Sequence, residues 1–443
     1  MEFGWVVLVF ISVLVYIGVC WAIKIYNIRP EIFAFIGPCL MIRTSKTQIF
    51  DALARFRRIF LVYGTLGVFI ATVCSILMTV IILLTAYMTM IIKPDPSQLI
   101  QPRNLLLIPG VNDFVPSTCA VWFALIFAVF IHEFGHGLLS RVENIRVKYT
   151  GILTLVLPIG AFVESDEEEI EKSKLATKLR VFAAGISNNM VVGVVCLVVL
   201  SLLLGMIVPG TMPIVQGIYE NSPADCAGIY PGTMILAIDG ILVSNSTDVS
   251  TILSSTVPGQ TIHVLGEFKG EQRMYDVTLT NLPSERRSSV FKNDSSGFMG
   301  ILYSDPRTIT DMLHALTHPS TMNQMLVSVL SFLMLPFSSI DVSSSLSILV
   351  IDTPDPVFLS APFEGFWELV HLFFWCAWIN VLLGTFNALP LGPLDGGQML
   401  RECVKNLLSK CGMERYALSL CRIITNLLIV VIIVPIIMPY FFF

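Results

Sequence analysis

Charge is what this chain has least of. Only 13% of its 443 residues are Asp, Glu, Lys or Arg, against 55% hydrophobic and a mean hydropathy of +0.78. A soluble domain of this length does not have that balance. The net charge, −5, gives no argument for a nucleic-acid partner, and none is expected. A disulfide framework is missing too. Of ten cysteines, Cys20, Cys39, Cys74, Cys119, Cys196, Cys376 and Cys421 lie in or beside apolar segments, Cys403 and Cys411 in a basic loop, and only Cys226 in the region read below as exterior.

What is present is a series of long apolar runs. A run of about 20 residues crosses roughly 30 Å of hydrocarbon, and Trp5–Ile23, Ile59–Ile92, Ser117–Leu139, Ala176–Val208, Trp367–Leu389 and Ala417–Tyr440 meet that length. The first has neither a basic leader nor a small-residue cleavage site and reads as a retained helix rather than a signal peptide. A seventh candidate, Met325–Ile351, is interrupted by Pro336 and the serine-rich SSIDVSSSLS, and is expected to be interfacial or re-entrant. The expected fold is a polytopic α-helical membrane protein with about six transmembrane helices.

Orientation follows from the loops, because short cytoplasmic loops are enriched in Lys and Arg. Residues 24–58 carry Lys24, Arg29, Arg43, Lys46, Arg55, Arg57 and Arg58, whereas residues 93–116 carry only Lys93 and Arg103. The first loop is therefore inside, residues 209–366 are outside, and the loop with Arg401, Lys405, Lys410 and Arg415 is inside again. The sequons Asn245-Ser-Thr and Asn293-Asp-Ser both fall in the outside stretch, as glycosylation requires.

That stretch has short alternating apolar runs separated by turn signals, the pattern of a β-rich domain. Within NSPADCAGIYPGTMILAIDGILV, residues 221–243, Ser222-Pro223-Ala224 opens a short helix, and Pro231-Gly232 and Asp239-Gly240 bracket a strand. This resembles the PDZ domains of membrane-associated and periplasmic proteases over residues 211–281. The resemblance implies a domain that captures an extended peptide segment as an added strand.

The third apolar run contains IHEFGH, residues 131–136. On a helix, His132 and His136 project from one face about one turn apart, a spacing at which two imidazoles can bind one Zn²⁺, and Glu133 adjoins the first of them. Ionisable side chains at membrane depth cost about 2.5–3.5 kcal/mol each, so they are functional candidates by default; the alternative is a hydrogen-bonded polar patch between helices. Catalytic zinc takes three protein ligands and keeps one position open. The best source of the third is FNALPLGPLDGGQML, residues 386–400, where Pro390 and Pro393 break the preceding helix and Asp395 is the only acid. Asn387 and Glu164 are next in line.

Three ordered motifs together resemble the site-2 proteases, intramembrane zinc metalloproteases: H-E-x-x-H at His132–His136, G-x-x-x-N at Gly185–Asn189, and N-x-x-P-x-x-P-x-D-G from Asn387 to Gly396. LIPGVNDFVP and GPLDGG look more like the archaeal members. The resemblance implies that His132, His136 and Asp395 bind zinc, that Glu133 is the general base, and that Asn387 and Asn189 position substrate. It further implies proteolysis of transmembrane protein substrates by an integral protein of the cell membrane, in contact with the lipid bilayer. The domains then read as 1–116, N-terminal helices with a basic loop; 117–208, protease core; 211–281, PDZ-like domain; 282–366, exterior linker; 367–400, protease core; and 401–443, a loop and final helix.

GILTLVLPIGAFVE, residues 151–164, reads as a re-entrant hairpin near the zinc whose edge could hold substrate as a strand. The acidic SDEEEIEKSK that follows reads as a solvated inside face. His371 reads as interfacial, His263, His314 and His318 receive no metal role, and Trp367, Trp375 and Trp378 are expected in the aromatic belt and packing face. Two other classes compete. An inactive PDZ-bearing scaffold would not need Glu133 together with three ligands. An ion or proton transporter could use intramembrane His and Asp, but it does not account for H-E-x-x-H beside a peptide-binding domain.

The orientation is open to direct test. A cysteine placed at Ser246 should be modified by an impermeant reagent from outside, and one at Thr44 should not. The opposite labelling pattern reverses the topology.

Overall fold

A computed structural model describes residues 2–94, 101–105, 107–210, 212–268, 270–282, 296–338, 349–350 and 359–442. In chain order these form α1 (Glu2–Ile25), β1 (Phe33–Ile36), β2 (Cys39–Thr44), α2 (Gln48–Ala54), α3 (Arg57–Ile92), α4 (Cys119–Val142), β3 (Val147–Leu155), β4 (Leu157–Ser165), α5 (Glu167–Lys172) and α6 (Leu175–Leu204). There follow β5 (Val208–Pro209), β6 (Ile214–Ile218), α7 (Pro223–Cys226), β7 (Met234–Ile238), β8 (Ile241–Leu242), α8 (Ser246–Ser254), β9 (Thr261–Phe268), β10 (Glu271–Thr278) and β11 (Ile301–Ser304). The chain closes with α9 (Pro306–Thr317), α10 (Met322–Ser338), β12 (Leu359–Ser360), α11 (Phe366–Asn387), α12 (Asp395–Lys410) and α13 (Ala417–Ile437).

Among the described residues, five helices are long and apolar enough to cross a membrane: α3, α4, α6, α11 and Glu414–Ile437. The pair α9–α10, bent by 110°, makes a sixth if taken as one broken span. The chain is thus a polytopic helical membrane protein. Helix α1 covers the first expected apolar run. Helix α10 covers the start of the seventh candidate and contains Pro336; much of the remainder of that candidate, and the sequon at Asn293, lie outside the described residues.

The chain divides into two compact units. The first comprises residues 1–105, 121–195 and 376–443. Its sheet is antiparallel throughout, in the order β1-β2-β3-β4. The hairpin expected over residues 151–164 is therefore two strands of four, extended by a second hairpin drawn from the basic loop. Tyr16 on α1 ties the two hairpins together. Its phenol oxygen lies 2.9 Å from the carbonyls of both Pro38 and Thr154 and accepts from the Leu40 amide at 3.0 Å.

Helices α3 and α6 approach closely in this unit. Ala71 and Cys74 of α3 share a buried cluster with Phe182, Ala183 and Ile186 of α6, and Ala388 and Met399 complete it. Pro390 and Pro393 separate α11 from α12, and the chain doubles back tightly there. A Cβ on Gly397 would lie 1.9 Å from the Leu391 carbonyl oxygen, and one on Gly396 would lie 2.1 Å from that of Ala388, so only glycine fits. Away from this turn, α6 and α12 are joined by Lys178 and Glu402, both buried and 2.9 Å apart. A buried pair of this kind is costly to break from one side, because the remaining charge is left uncompensated. Glu171 extends the network to Lys178 at 3.3 Å and Lys405 at 2.5 Å, and hydrogen bonds from those two ammonium groups hold its carboxyl below the usual range.

The second unit comprises residues 106–120 and 196–375. Its six-stranded sheet runs β10-β9-β7-β6-β11, with β8 paired to β7. The expected β-rich domain is present, but its sheet extends past the expected limit at residue 281, because β11 pairs with β6. Met299 and Ile301 enter the same core as Val215, Ile238, Val264 and Val277. The Ala224 amide also donates to the Met299 carbonyl at 3.0 Å. The sequon residue Asn245 caps α8, accepting from the Asp248 amide.

Two expectations need correction. Trp367, Trp375 and Trp378 are 3%, 1% and 2% exposed, so they belong to the packing face and not to an aromatic belt, and His371 is buried rather than interfacial. Hydropathy locates a helix in the membrane but does not say which of its faces meets protein.

Closure of the β-domain by β11 has a measurable consequence. Burial of Met299 and Ile301 contributes about 1.5–3 kcal/mol each, a large part of the stability of a domain this size. A fragment covering residues 212–305 should melt cooperatively by circular dichroism, and one ending at 281 should be largely unfolded at 25 °C. Equal melting temperatures would show that β11 is dispensable.

Candidate metal centre

Helix α4 presents Ala124, Ala128, His132 and Gly135 on its buried side, the 3.6-residue repeat of a face packed against protein. The same repeat brings His132 and His136 together, with ring centroids 5.0 Å apart. Asp395 is the first residue of α12, where the helix dipole favours a carboxylate. The doubled-back turn before it carries this side chain to the two imidazoles.

The three donor atoms form a small triangle. Asp395 Oδ2 lies 3.0 Å from His132 Nε2 and 3.3 Å from His136 Nε2, and the two Nε2 atoms are 3.3 Å apart. A tetrahedral zinc ion with ligand bonds near 2.0–2.1 Å sets its donors roughly 3.3 Å apart. Asp395 Oδ2 is buried and makes no hydrogen bond despite its two neighbours. An orphaned carboxylate oxygen between two ring nitrogens suits a cation, and no other group of three such ligands occurs among the described residues.

The surroundings match this arrangement. His136 Nδ1 stands 2.8 Å from the Val181 carbonyl, which can only accept, so Nδ1 carries a proton and, in the neutral ring, the Nε2 lone pair is free. Gly185 of α6 lies beneath the triangle, where a Cβ would fall 2.6 Å from both Nε2 atoms. Asn189, one turn further along α6, is fully buried, and its Nδ2 stands 3.4 Å from His132 Nδ1. The next residue back, Asn188, accepts from the Tyr63 hydroxyl and donates to the Ile131 carbonyl. Of these groups, only Gly185 and Asn189 were singled out in the sequence, through the resemblance to the site-2 proteases. Val181 acts through its backbone and left no signal.

A cavity of about 1030 Å³ opens beside the triangle. Glu133, Asn387, Phe162 and Val163 line it, and Glu164, Gln398 and Arg401 give it polar walls. Strand β4 is an edge of its sheet. Its Val163 amide donates to Glu133 Oε2 at 3.1 Å. Asn387 donates to the Leu383 carbonyl of its own helix at 3.0 Å. The structure thus gathers His132, His136 and Asp395 at one point, puts Glu133 and Asn387 on the cavity wall, and sets Asn189 behind His132 rather than in the cavity lining. Glu164 reaches the cavity but does not belong to the three-ligand group. His263 pairs with exposed Asp276 at 2.7 Å, and His314 stacks on His318; among the described residues neither pair joins a metal-ligand group.

The model for Peptidase family M50 matches residues 120–431. A membrane-bound transcription factor site-2 protease homolog of Arabidopsis thaliana is 25% identical over 216 residues, which are 47% of this chain and 40% of that protein. Zinc metalloprotease RasP of Shouchella clausii is 25% identical over 217 residues, 49% of this chain and 48% of its own length. The chain therefore spans about half the length, or less, of these two relatives. Among solved structures, the PDZ domain of an SdrC-like protein from Listeria monocytogenes covers 24% of this chain and 97% of its own, at 19% identity and a TM-score of 0.19.

The floor of the triangle can be tested with a single methyl group. Gly185→Ala should leave helix content by circular dichroism unchanged and reduce zinc, measured by elemental analysis, to near background. A full equivalent of zinc in that variant would mean that the close approach is not needed.

Proposed function

The chain belongs to peptidase family M50, the family of the site-2 proteases, and on that premise we propose that it is an intramembrane zinc endopeptidase cutting the transmembrane segments of other membrane proteins. One observation carries the reading: three ligand atoms 3.0–3.3 Å apart share a cavity with Glu133 and with the free edge of a strand. His132, His136 and Asp395 would hold the metal. Zinc, when bound, polarises the scissile carbonyl and makes water a stronger acid.

The chain's own groups supply the rest. Glu133 takes a proton from the attacking water and returns it to the leaving amine nitrogen. The polar cavity walls admit that water into an otherwise apolar bundle. A substrate helix hides its carbonyls in i→i−4 hydrogen bonds, so it must unwind before attack. Pairing with the β4 edge holds the unwound segment extended, and Asn387 on the cavity wall positions it. On this reading the protein sits in the cell membrane with its PDZ-like domain outside, in keeping with the basic loop at residues 24–58. There it selects or admits substrates by capturing an extended segment.

Ligand and base separate experimentally. His132→Ala, His136→Ala and Asp395→Ala should each lose both zinc and proteolysis of a model transmembrane substrate. Glu133→Gln keeps the three ligands and removes only the proton acceptor, so it should retain zinc while cleavage falls about 10²–10⁴-fold. Full zinc in Asp395→Ala would move the third ligand elsewhere, and substantial cleavage by Glu133→Gln would sink the mechanism. A wild type that binds substrate, or moves a solute, without hydrolysis would favour a scaffold or a transporter.

A further inference from the structure

Asn189 sits at the end of the G-x-x-x-N motif, fully buried, with one amide atom 3.4 Å from His132 Nδ1 and the other, Oδ1, without a hydrogen bond among the described residues. It does not line the cavity in which substrate would lie. A buried carbonyl oxygen with no partner costs about 1–3 kcal/mol, so its place needs a physical reason.

The two imidazoles supply one. Both turn Nε2 toward Asp395 Oδ2. A neutral ring that offers Nε2 as a ligand carries its single proton on Nδ1 and needs an acceptor there. For His136 that acceptor is the Val181 carbonyl at 2.8 Å. For His132 the polar group facing Nδ1 is the Asn189 carboxamide. Its oxygen and nitrogen ends have nearly the same shape. With the oxygen end toward the ring, the orphaned Oδ1 gains a donor and the His132 proton gains an acceptor in one step. We propose that Asn189 is a positioning residue which accepts the His132 Nδ1–H, fixing the tautomer and plane of that ligand, rather than a residue that touches substrate.

The proposal rests on the metal-site reading given above and extends it. It also gives the motif a physical meaning. Gly185 and Asn189 are one turn apart on α6, so the first leaves room under the two Nε2 atoms while the second holds one ring from behind. Outer partners of this kind typically change metal affinity about 10–100-fold when removed.

The test compares wild type, Asn189→Leu, Asn189→Ala and Asn189→Asp, purified in detergent and titrated with Co²⁺. Affinity is read by chelator competition and ligand geometry by the visible absorption of the bound cobalt. The two apolar variants should bind about 10–100-fold more weakly, with an altered absorption band. Asn189→Asp keeps an acceptor oxygen and makes it more basic, so it should match or exceed wild type. Unchanged affinity and spectrum in Asn189→Leu or Asn189→Ala, with any loss confined to KM, would overturn the proposal and return Asn189 to substrate binding. If neither apolar variant folds, Asn189→Asp decides alone: affinity below wild type overturns the proposal. A wild type that takes up no cobalt overturns the metal site and this proposal together, which distinguishes that failure from the others.

Discussion

Two imidazole nitrogens and a carboxylate oxygen lie within 3.3 Å of one another with no hydrogen bond to that oxygen. Lone pairs facing lone pairs at that distance, in a medium of low dielectric, repel one another unless a positive charge stands between them. The rest of the first unit can be understood from that constraint. Helix α12 must start where α4 presents its histidines, so two prolines and two glycines fold the chain back within a few residues. Helix α6 must pass directly beneath, so it carries glycine at the point of closest approach. The Lys178–Glu402 pair then joins α6 to α12 some two turns from the triangle, a second tie that resists rotation of α12 about its ligand.

The parts of the site that could be read in advance were those governed by local repeat. His132 and His136 were legible because four residues is the helical neighbour distance, and Asp395 because it is the only acid in a proline-broken stretch. The hairpin beyond the motif helix was legible from its glycines and proline. Contacts made by backbone atoms were not legible. The Val163 amide and the Val181 carbonyl, which fix Glu133 and His136, would be the same for almost any side chain at those positions.

Pairings between distant segments were equally hidden. Strands β1 and β2 come from a loop notable in the sequence for its positive charge, and they join β3 more than a hundred residues away. Strand β11 reaches β6 across the whole length of the β-domain. Hydropathy also treats a protein-facing and a lipid-facing tryptophan alike, which is why the buried Trp375 and Trp378 resemble belt residues in sequence.

The Val163 amide has one proton and two claimants. It now donates to Glu133, and any chain that adds to the β4 edge at this residue needs the same proton for its own ladder. Occupying the edge therefore displaces the carboxylate from this amide. The docking of a strand and the release of the Glu133 side chain would then be two states of one hydrogen bond.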